Sequence, residues 1–563
     1  MNRIDVDRKK IILITLFLGL FIIGTVLMFI IPINVKATYN KTVKTIDGET
    51  ISFNVFEPKR TGVNKKAIIL GHGIMSNKEM LKGYAIEFAA AGFVAVPFDF
   101  RGHGQSTGEL DRDLLTNDIN AIVSYLNSRS DIDTSSLGYF GFSMGGGPGI
   151  EIVNGSTDFK CFIGAGTRLP NDVRKGNSTD PLDILMILGR YDEIIKPEDL
   201  KEGLSDYTGI PIADLDVNRL YGSFQDGNAS MIYLDDNSNH VLGDWDPDFI
   251  REARNFALNT FSDVRPIDEN FYAHTRLIIL FLQLFGGFGF FALIVDPLSQ
   301  LILKTKEEES FTFETEDETV ISLSGKTIAY SLILGLPGIL IFVPIILILF
   351  LATAGFISAL LFGQAFGILV LLWRIGKKKN TKLSELIKKP FKSSRNNLVR
   401  QFLLGGILAT LLTLIIYLSA GLNYIGMIPS ITKIPWIPLY FVIIFIIFMI
   451  FGLLFHGILQ NKFEKGVKPL VKVSLIIFGT QFLYMFTILL IIALMMGSFF
   501  YFGSFLPLAV PVFLLIGFIS TIVYEKTGNI IPGALVNTLF FTLLICTISP
   551  YQSGISFILG FFH

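Results

Sequence analysis

Cysteine is nearly missing from this chain: Cys161 and Cys546 are the two among 563 residues. They lie far apart and form no CxxC pair, so no disulfide framework can be built from them. Histidine is scarce as well, with six residues, which leaves few candidates for a catalytic base. Charge is thin at 17% and balanced to a net −1. No basic stripe interleaves with aromatics, and this excludes a nucleic-acid binder. Apolar residues make up 51% of the chain, with 52 phenylalanines, and this excludes a disordered or purely soluble chain.

The few charges are unevenly placed. Residues 34–265 carry 33 acidic and 23 basic side chains, net −10, whereas residues 266–563 carry 13 and 20, net +7. This split predicts an anchor over 1–36, a globular domain over 37–265 and a polytopic membrane domain of about eight helices over 266–563. The uncharged run Ile11–Val35 exceeds the roughly 7–15 apolar residues of a signal peptide, so it reads as a retained helix. Further spans are predicted near 277–295, 328–349, 352–373, 402–421, 437–459, 473–494, 501–523 and 530–549, with a break near Ala352–Gly355. Residues 374–400 hold ten basic residues and one acidic one, and Lys462, Lys465, Lys468 and Lys472 crowd the next such loop. The bias of Lys and Arg toward the cytoplasmic side puts both loops and the N-terminus inside. The acidic loop 304–326 then falls inside and the globular domain outside, at the outer face of the cell membrane. Connectors of about 15 residues before Ile51 and after Phe261 would tether it to the bilayer.

The globular segment alternates strand-like and helix-like stretches: Ala67–Leu70, a helix over Lys78–Ala91, Phe93–Phe98, a helix over Asp113–Ser128, then Leu137–Phe142. Such alternation predicts an α/β fold with a mostly parallel sheet and helices on both faces. The last strand runs into Gly141-Phe142-Ser143-Met144-Gly145. A Gly-x-Ser-x-Gly turn exposes its serine at the top of a sheet and at a helix N-terminus, where developing negative charge is favoured. Gly71-His72-Gly73-Ile74 follows an earlier strand. There the N–H of Ile74 can complete an oxyanion hole with that of Met144. The remaining partners should come in the order acid, then histidine. Asp192 follows the apolar run Ile184–Leu188, whereas Asp183 precedes it; Asp235 and Asp236 remain alternatives. His240 is nearly forced as the base. His72 and His103 belong to other loops, and His274, His456 and His563 lie in or beside the membrane part. Glu198–Asn228, rich in glycine and mixed charge, reads as a helical flap near the site.

Together, His72-Gly73, Asp99-Phe100-Arg101-Gly102-His103-Gly104-Gln105-Ser106, the turn at Ser143, Gly189-Arg190-Tyr191-Asp192 and Asn239-His240 resemble an α/β-hydrolase of the monoglyceride-lipase and serine-aminopeptidase type. The resemblance covers residues 50–262. It implies an eight-stranded, mostly parallel sheet, hydrolysis of an ester, thioester or amide, and no cofactor or metal. Asp99, Arg101 and His103, with the glycines, are expected to brace the loops beside the site. The substrate implied is a lipid or acyl ester arriving from the bilayer, with a short peptide as the alternative. A lipid or peptide carrier with a binding module is the non-enzymatic alternative.

The membrane part holds one intramembrane ionisable residue away from helix ends, His456. Such a residue is a functional candidate, though a neutral histidine hydrogen-bonded across helices, or lying near the inner interface beside Gln460, suffices to explain it. Phe451–Gln460 and Tyr524–Asn537 weakly resemble the CAAX-protease and bacteriocin-processing family. That family's paired glutamates and arginine are replaced by Phe451, Gly452 and His456, and its histidine by Gly533 or Asn537. The resemblance therefore implies a non-catalytic domain over about 330–550.

Overall fold

A computed structural model describes residues 7–59, 62–303, 313 and 318–559. Most of the 304–326 loop lies outside the described residues. The first helix, α1 (Arg8–Ile30), leads into a mixed sheet. Its strands are β1 (Val35–Lys44), β2 (Thr50–Pro58), β3 (Lys65–Gly71), β4 (Val94–Phe98), β5 (Ile132–Phe142), β6 (Phe159–Ala165), β7 (Asp183–Gly189) and β8 (Ser230–Asp235). They lie in the order β1-β2-β4-β3-β5-β6-β7-β8. The β1 and β2 pairings are antiparallel and the rest parallel. The central strands read as near-continuous apolar runs because both faces are covered, as parallel strands require.

Helices α2 (Lys82–Ala90) and α6 (Pro247–Thr260) contribute to the core on one face. Helices α3 (Leu115–Asn127), α4 (Gly146–Gly155) and α5 (Pro197–Thr208) contribute to the core on the other. The helix expected from Lys78 starts only at Lys82, because Lys78 is drawn into the interior to meet Asp99 at 2.6 Å.

The rest of the chain is helical. It comprises α7 (Ala273–Leu303), α8 (Val320–Ile348), α9 (Ala352–Lys378), the short α10 (Leu383–Lys388), α11 (Arg395–Ile416), α12 (Ile437–Leu454), α13 (Val467–Met496), α14 (Phe500–Thr527), α15 (Ile530–Ile548) and the short α16 (Gly554–Leu559). Among the described residues nine helices, α1 included, are long and apolar enough to cross a membrane, so the protein is of multi-pass type. The break between α8 and α9 falls at Leu349–Leu351, slightly before the expected Ala352–Gly355. There Leu351 adopts φ 62°, and Tyr440 Oη donates to the carbonyls of Phe350 and Leu351.

The connectors of the sheet domain are short and fastened. Strand β1 starts at Val35, directly after α1, and residues 262–272 are fastened to α2. Ile267 N donates to Ala90 O, and the N–H groups of Tyr272 and Ala273 both donate to the Glu87 carboxylate. One end of the helix bundle grips the sheet domain. Asn77 Nδ2 donates to Ile425 O, Lys82 Nζ to Asn423 Oδ1 and Leu422 O, and Trp245 Nε1 to Tyr424 O. Ser430 N donates to Gly104 O, and Tyr551 exchanges backbone bonds with Gly102 and Leu110. Helix α9 starts at this end, and Phe350 before it stacks on Tyr551. The basic residues of 374–400 therefore sit at the opposite end of the bundle.

Candidate active site

Strand β5 ends at Phe142 and the chain turns at Ser143 into α4. Ser143 adopts φ 48°, a left-handed conformation that costs a non-glycine residue about 1–3 kcal/mol and that recurs at functional sites. The turn is possible because Gly141 and Gly145, two residues to either side of Ser143, have no side chains. A Cβ on Gly141 would lie 2.7 Å from Gly145 O, and one on Gly145 would lie 2.5 Å from Gly71 O.

His240, in the loop after β8, brings Nε2 to 2.9 Å from Ser143 Oγ. Its Nδ1 lies 2.9 Å from Asp192 Oδ2, in the loop after β7. A carboxylate only accepts, so the proton is assigned to Nδ1, and Nε2 is left to accept from the serine hydroxyl. The other oxygen of Asp192 accepts from the N–H groups of Ile194 and Ile195, each at 2.9 Å. The carboxylate is thereby locked in orientation. Glu193 reaches back to the His240 N–H and lies directly over Gly503 of α14. The acid loop thus touches the helix bundle.

The loop after β3 passes close to the serine: a Cβ on Gly73 would lie 3.2 Å from Ser143 Cβ. Ile74 lines the same cavity, and Met144 opens the turn into α4. His72 and the 99–103 loop are brought together but do not line the cavity. His72 Nε2 accepts from Phe100 N and its Nδ1 donates to Gly73 O. Burial holds its pKa down at about 4, so it stays neutral. Asp99 accepts from Lys78 Nζ and from the N–H groups of Lys78 and Gln105. Arg101 forks onto Asp118 and Asp47. Of the alternative acids, Asp235 is engaged by the N–H groups of Asn237 and Ser238, and Asp183 by Ala229 N. Asp236 bonds its neighbour Asn237.

Ser143 and His240 open into a cavity of about 340 Å³. The wall is not the expected flap: no residue of 198–228 lines it. Five spanning helices, the end of α11 and the helical turns Tyr417–Ile425 that follow it close it instead, through residues such as Phe288, Ile357, Ala420, Met485, Ala509 and Phe541. Nothing local in the sequence marked these residues, because an apolar side chain facing a cavity looks the same as one facing lipid. The sheet domain adds Met75, Ser76, Asp244 and Trp245.

Asp244 is buried at 4% exposure, with Oδ1 unpaired and Oδ2 accepting from Ser76 Oγ at 3.3 Å. Burial raises its pKa from 3.8 to about 7. Between those values the unfolded chain releases the proton and the folded one keeps it, so this group lowers stability as pH rises from about 4 to 7. Asp244→Asn is expected to gain stability over the parent across that window, by roughly a few kcal/mol at its upper end. Thermal unfolding of both proteins at several pH values measures the gap; a gap independent of pH refutes the assignment.

His456 Nδ1 donates to Gln460 Oε1 at 2.7 Å, and the ring stacks on Tyr524. With Phe451, Gly452 and Asn537 it lines a cavity of only about 20 Å³.

The strand order, the strained serine turn and the loop positions of acid and histidine decide the architecture. The fold is that of an α/β-hydrolase. Residues 62–177 match the family described as serine aminopeptidase, S33. An Escherichia coli protein, the 31.7 kDa protein of the traX-finO intergenic region, is 31% identical over 124 residues, which is 21% of this chain and 42% of that protein. The quorum-quenching protein AidA of Acinetobacter baumannii is 33% identical over 92 residues, 16% of this chain and 30% of its own. The chain thus spans less than half the length of these relatives. The Pyrococcus furiosus esterase Pf2001 is similar over 40% of this chain and 94% of its own, at 17% identity and a TM-score of 0.32.

Proposed function

We propose that this protein is a membrane-anchored serine hydrolase that cleaves an acyl ester through an acyl-enzyme. The observation that carries the reading is the hydrogen-bonded chain Ser143–His240–Asp192, with both links at 2.9 Å. Ser143 Oγ attacks the carbonyl carbon while His240 Nε2 takes its proton. The N–H groups of Ile74 and Met144 hold the oxyanion. His240 then returns the proton to the leaving oxygen. Water, activated by the same nitrogen, releases the acid from Ser143. Asp192 keeps the imidazole in the required tautomer and stabilises the imidazolium. His72, Gly73, Gly141, Gly145, Asp99 and Arg101 keep the loops in place, and the chemistry needs no metal or cofactor.

A lipid ester is favoured over a short peptide by the cavity. A peptide brings an N–H and a C=O per residue, and burying each without a partner costs on the order of 1–3 kcal/mol. Among the described residues, the helical side of the cavity offers one polar side chain, Ser504. The basic loops at the far end of the bundle support placing the hydrolase domain, residues 37–265, on the outer face of the cell membrane with the N-terminus inside.

A fluorophosphonate probe added to the full-length protein in detergent is expected to label Ser143, and peptide mapping locates the adduct. Absence of labelling, or labelling elsewhere, removes the reading.

A further inference from the structure

The chain spends 298 residues on its helical part, and a hydrolase held only by an anchor would need none of them beyond a single span. The lining of the active-site cavity gives them a task. On α14 the lining residues run from Phe500 to Leu515, about 22 Å of helix at 1.5 Å per residue. On α7 they reach Phe288, fifteen residues in from the end that meets the sheet domain, and this is again about 22 Å. On α13 they reach Met485, eleven residues from Met496, or about 16 Å. The three helices place the far end of the cavity about 16–22 Å in. Half of a bilayer's hydrocarbon core is about 15 Å. The cavity extends from Ser143 to about the middle of the spanning helices, the length of one leaflet's acyl chain.

The polarity is graded along the same axis. Ser76, Ser143, His240 and Asp244 stand at the sheet-domain end, and Ser504 is four residues into α14. Beyond Ser504, every lining residue contributed by α14 is apolar. A volume of about 340 Å³ is at the small end of the range for ligand pockets, roughly 300–1,000 Å³, and suits a single chain.

We infer that the helix bundle is the acyl-chain site of the enzyme: one acyl chain of the ester lies along α14 at membrane depth while its carbonyl sits at Ser143. The inference rests on the hydrolase reading of Ser143 and adds the chain's position and the origin of length selectivity. The chain stays among apolar side chains throughout, so it is never transferred through water. The floor of the cavity near Leu515 sets the longest chain that still lets the carbonyl reach the serine.

The test places a large side chain part-way down the cavity. Ala509 is nine residues into α14, about 14 Å from its start, and lines the cavity. In the full-length protein in detergent, Ala509→Trp is expected to lower the ratio of kcat/KM for p-nitrophenyl palmitate over p-nitrophenyl butyrate by about ten-fold or more, the effect of excluding roughly two methylenes. A ratio equal to that of the parent, or an equal fall on both esters, overturns the inference. A second measurement is independent of catalysis. Ser143→Ala protein is photolysed with a diazirine-bearing palmitate, and the cross-linked peptides are mapped. Adducts within 500–515 that palmitic acid competes away support the chain site, even if no ester is turned over. Adducts spread evenly over the lipid-facing surfaces of the bundle refute it, even if Ser143 proves to be the nucleophile.

Discussion

Replacing Ser143 by alanine is expected to reduce kcat for ester hydrolysis by roughly four to six orders of magnitude, with little change in KM. The basis is geometric. Ser143 Oγ is 2.9 Å from Nε2 of His240, the proposed base, and a strained turn holds it at the cavity mouth. Alanine keeps the turn and loses the nucleophile. His240→Ala should cost about as much, and the double variant hardly more, because groups that act as one unit are not additive. Asp192→Asn is the sharper case. It keeps the shape of the acid but presents the imidazole with the wrong donor and acceptor pattern, and a loss of about 10⁴ in kcat is expected. The N–H groups of Ile194 and Ile195 would still hold one oxygen of the amide, so folding should be unaffected. Steady-state kinetics on p-nitrophenyl esters, with thermal unfolding as the control for folding, decide the matter. A Ser143→Ala enzyme with near-parental turnover would falsify the assignment.

The largest expected effect on stability is at Asp99. Its side chain and that of Lys78 are both fully buried and 2.6 Å apart. Asp99→Ala leaves an ammonium in the interior without its main counter-charge, a change worth about 3–5 kcal/mol. Glu79 remains 3.4 Å from Lys78 Nζ, which holds the loss toward the lower end. At 2–4 °C per kcal/mol for a unit of this size, the melting temperature should fall by about 6–20 °C. Two backbone N–H bonds to Asp99, from Lys78 and Gln105, are lost as well. The same loop carries Gly102 and Gly104, whose carbonyls bind Tyr551 and Ser430 of the helical part, so docking should loosen too. The double variant Lys78→Met/Asp99→Leu removes both charges and is expected to recover only part of the loss, because the N–H groups of Lys78 and Gln105 stay unpaired and Glu79 loses its lysine. A shift of under a degree in Asp99→Ala would show that the pair is not the brace described here.

Much of the fold is legible in the sequence, for reasons that differ by region. In the bundle, long uncharged runs announce themselves, because a bilayer tolerates no other backbone there. In the hydrolase part, punctuation carries the signal: an apolar run, then Gly-x-Ser-x-Gly, then Gly189-Arg190-Tyr191-Asp192, then Asn239-His240. Each motif sits where a strand ends, and parallel strands bring their ends to one edge of the sheet. That is how residues 143, 192 and 240 could be grouped before any contact was known, and the structure brings all three into hydrogen-bonding range.

Helix α2 starts later than the local pattern predicts, because Lys78 reads locally as a helix former on a surface, whereas its partner Asp99 lies 21 residues away. The glycines and mixed charge of 198–228 read as a flap near the site, yet none of it lines the cavity, and α5 buries Leu200 and Leu204 into the sheet core. Nothing in the composition of residues 262–272 reveals that Glu87 captures the N–H groups of Tyr272 and Ala273.

The sequence by itself determined the elements: which segments span, which strands alternate with helices, and which serine, acid and histidine could act together. These follow from local periodicity, turn chemistry and motif order, all written in adjacent residues. Tertiary structure alone decided that the helix bundle caps the hydrolase site and supplies most of its wall. Ser143 and Ala509 share a cavity across 366 positions of chain. Apolar side chains carry no mark of whether they meet lipid, protein or an empty chamber, so that choice belongs to packing.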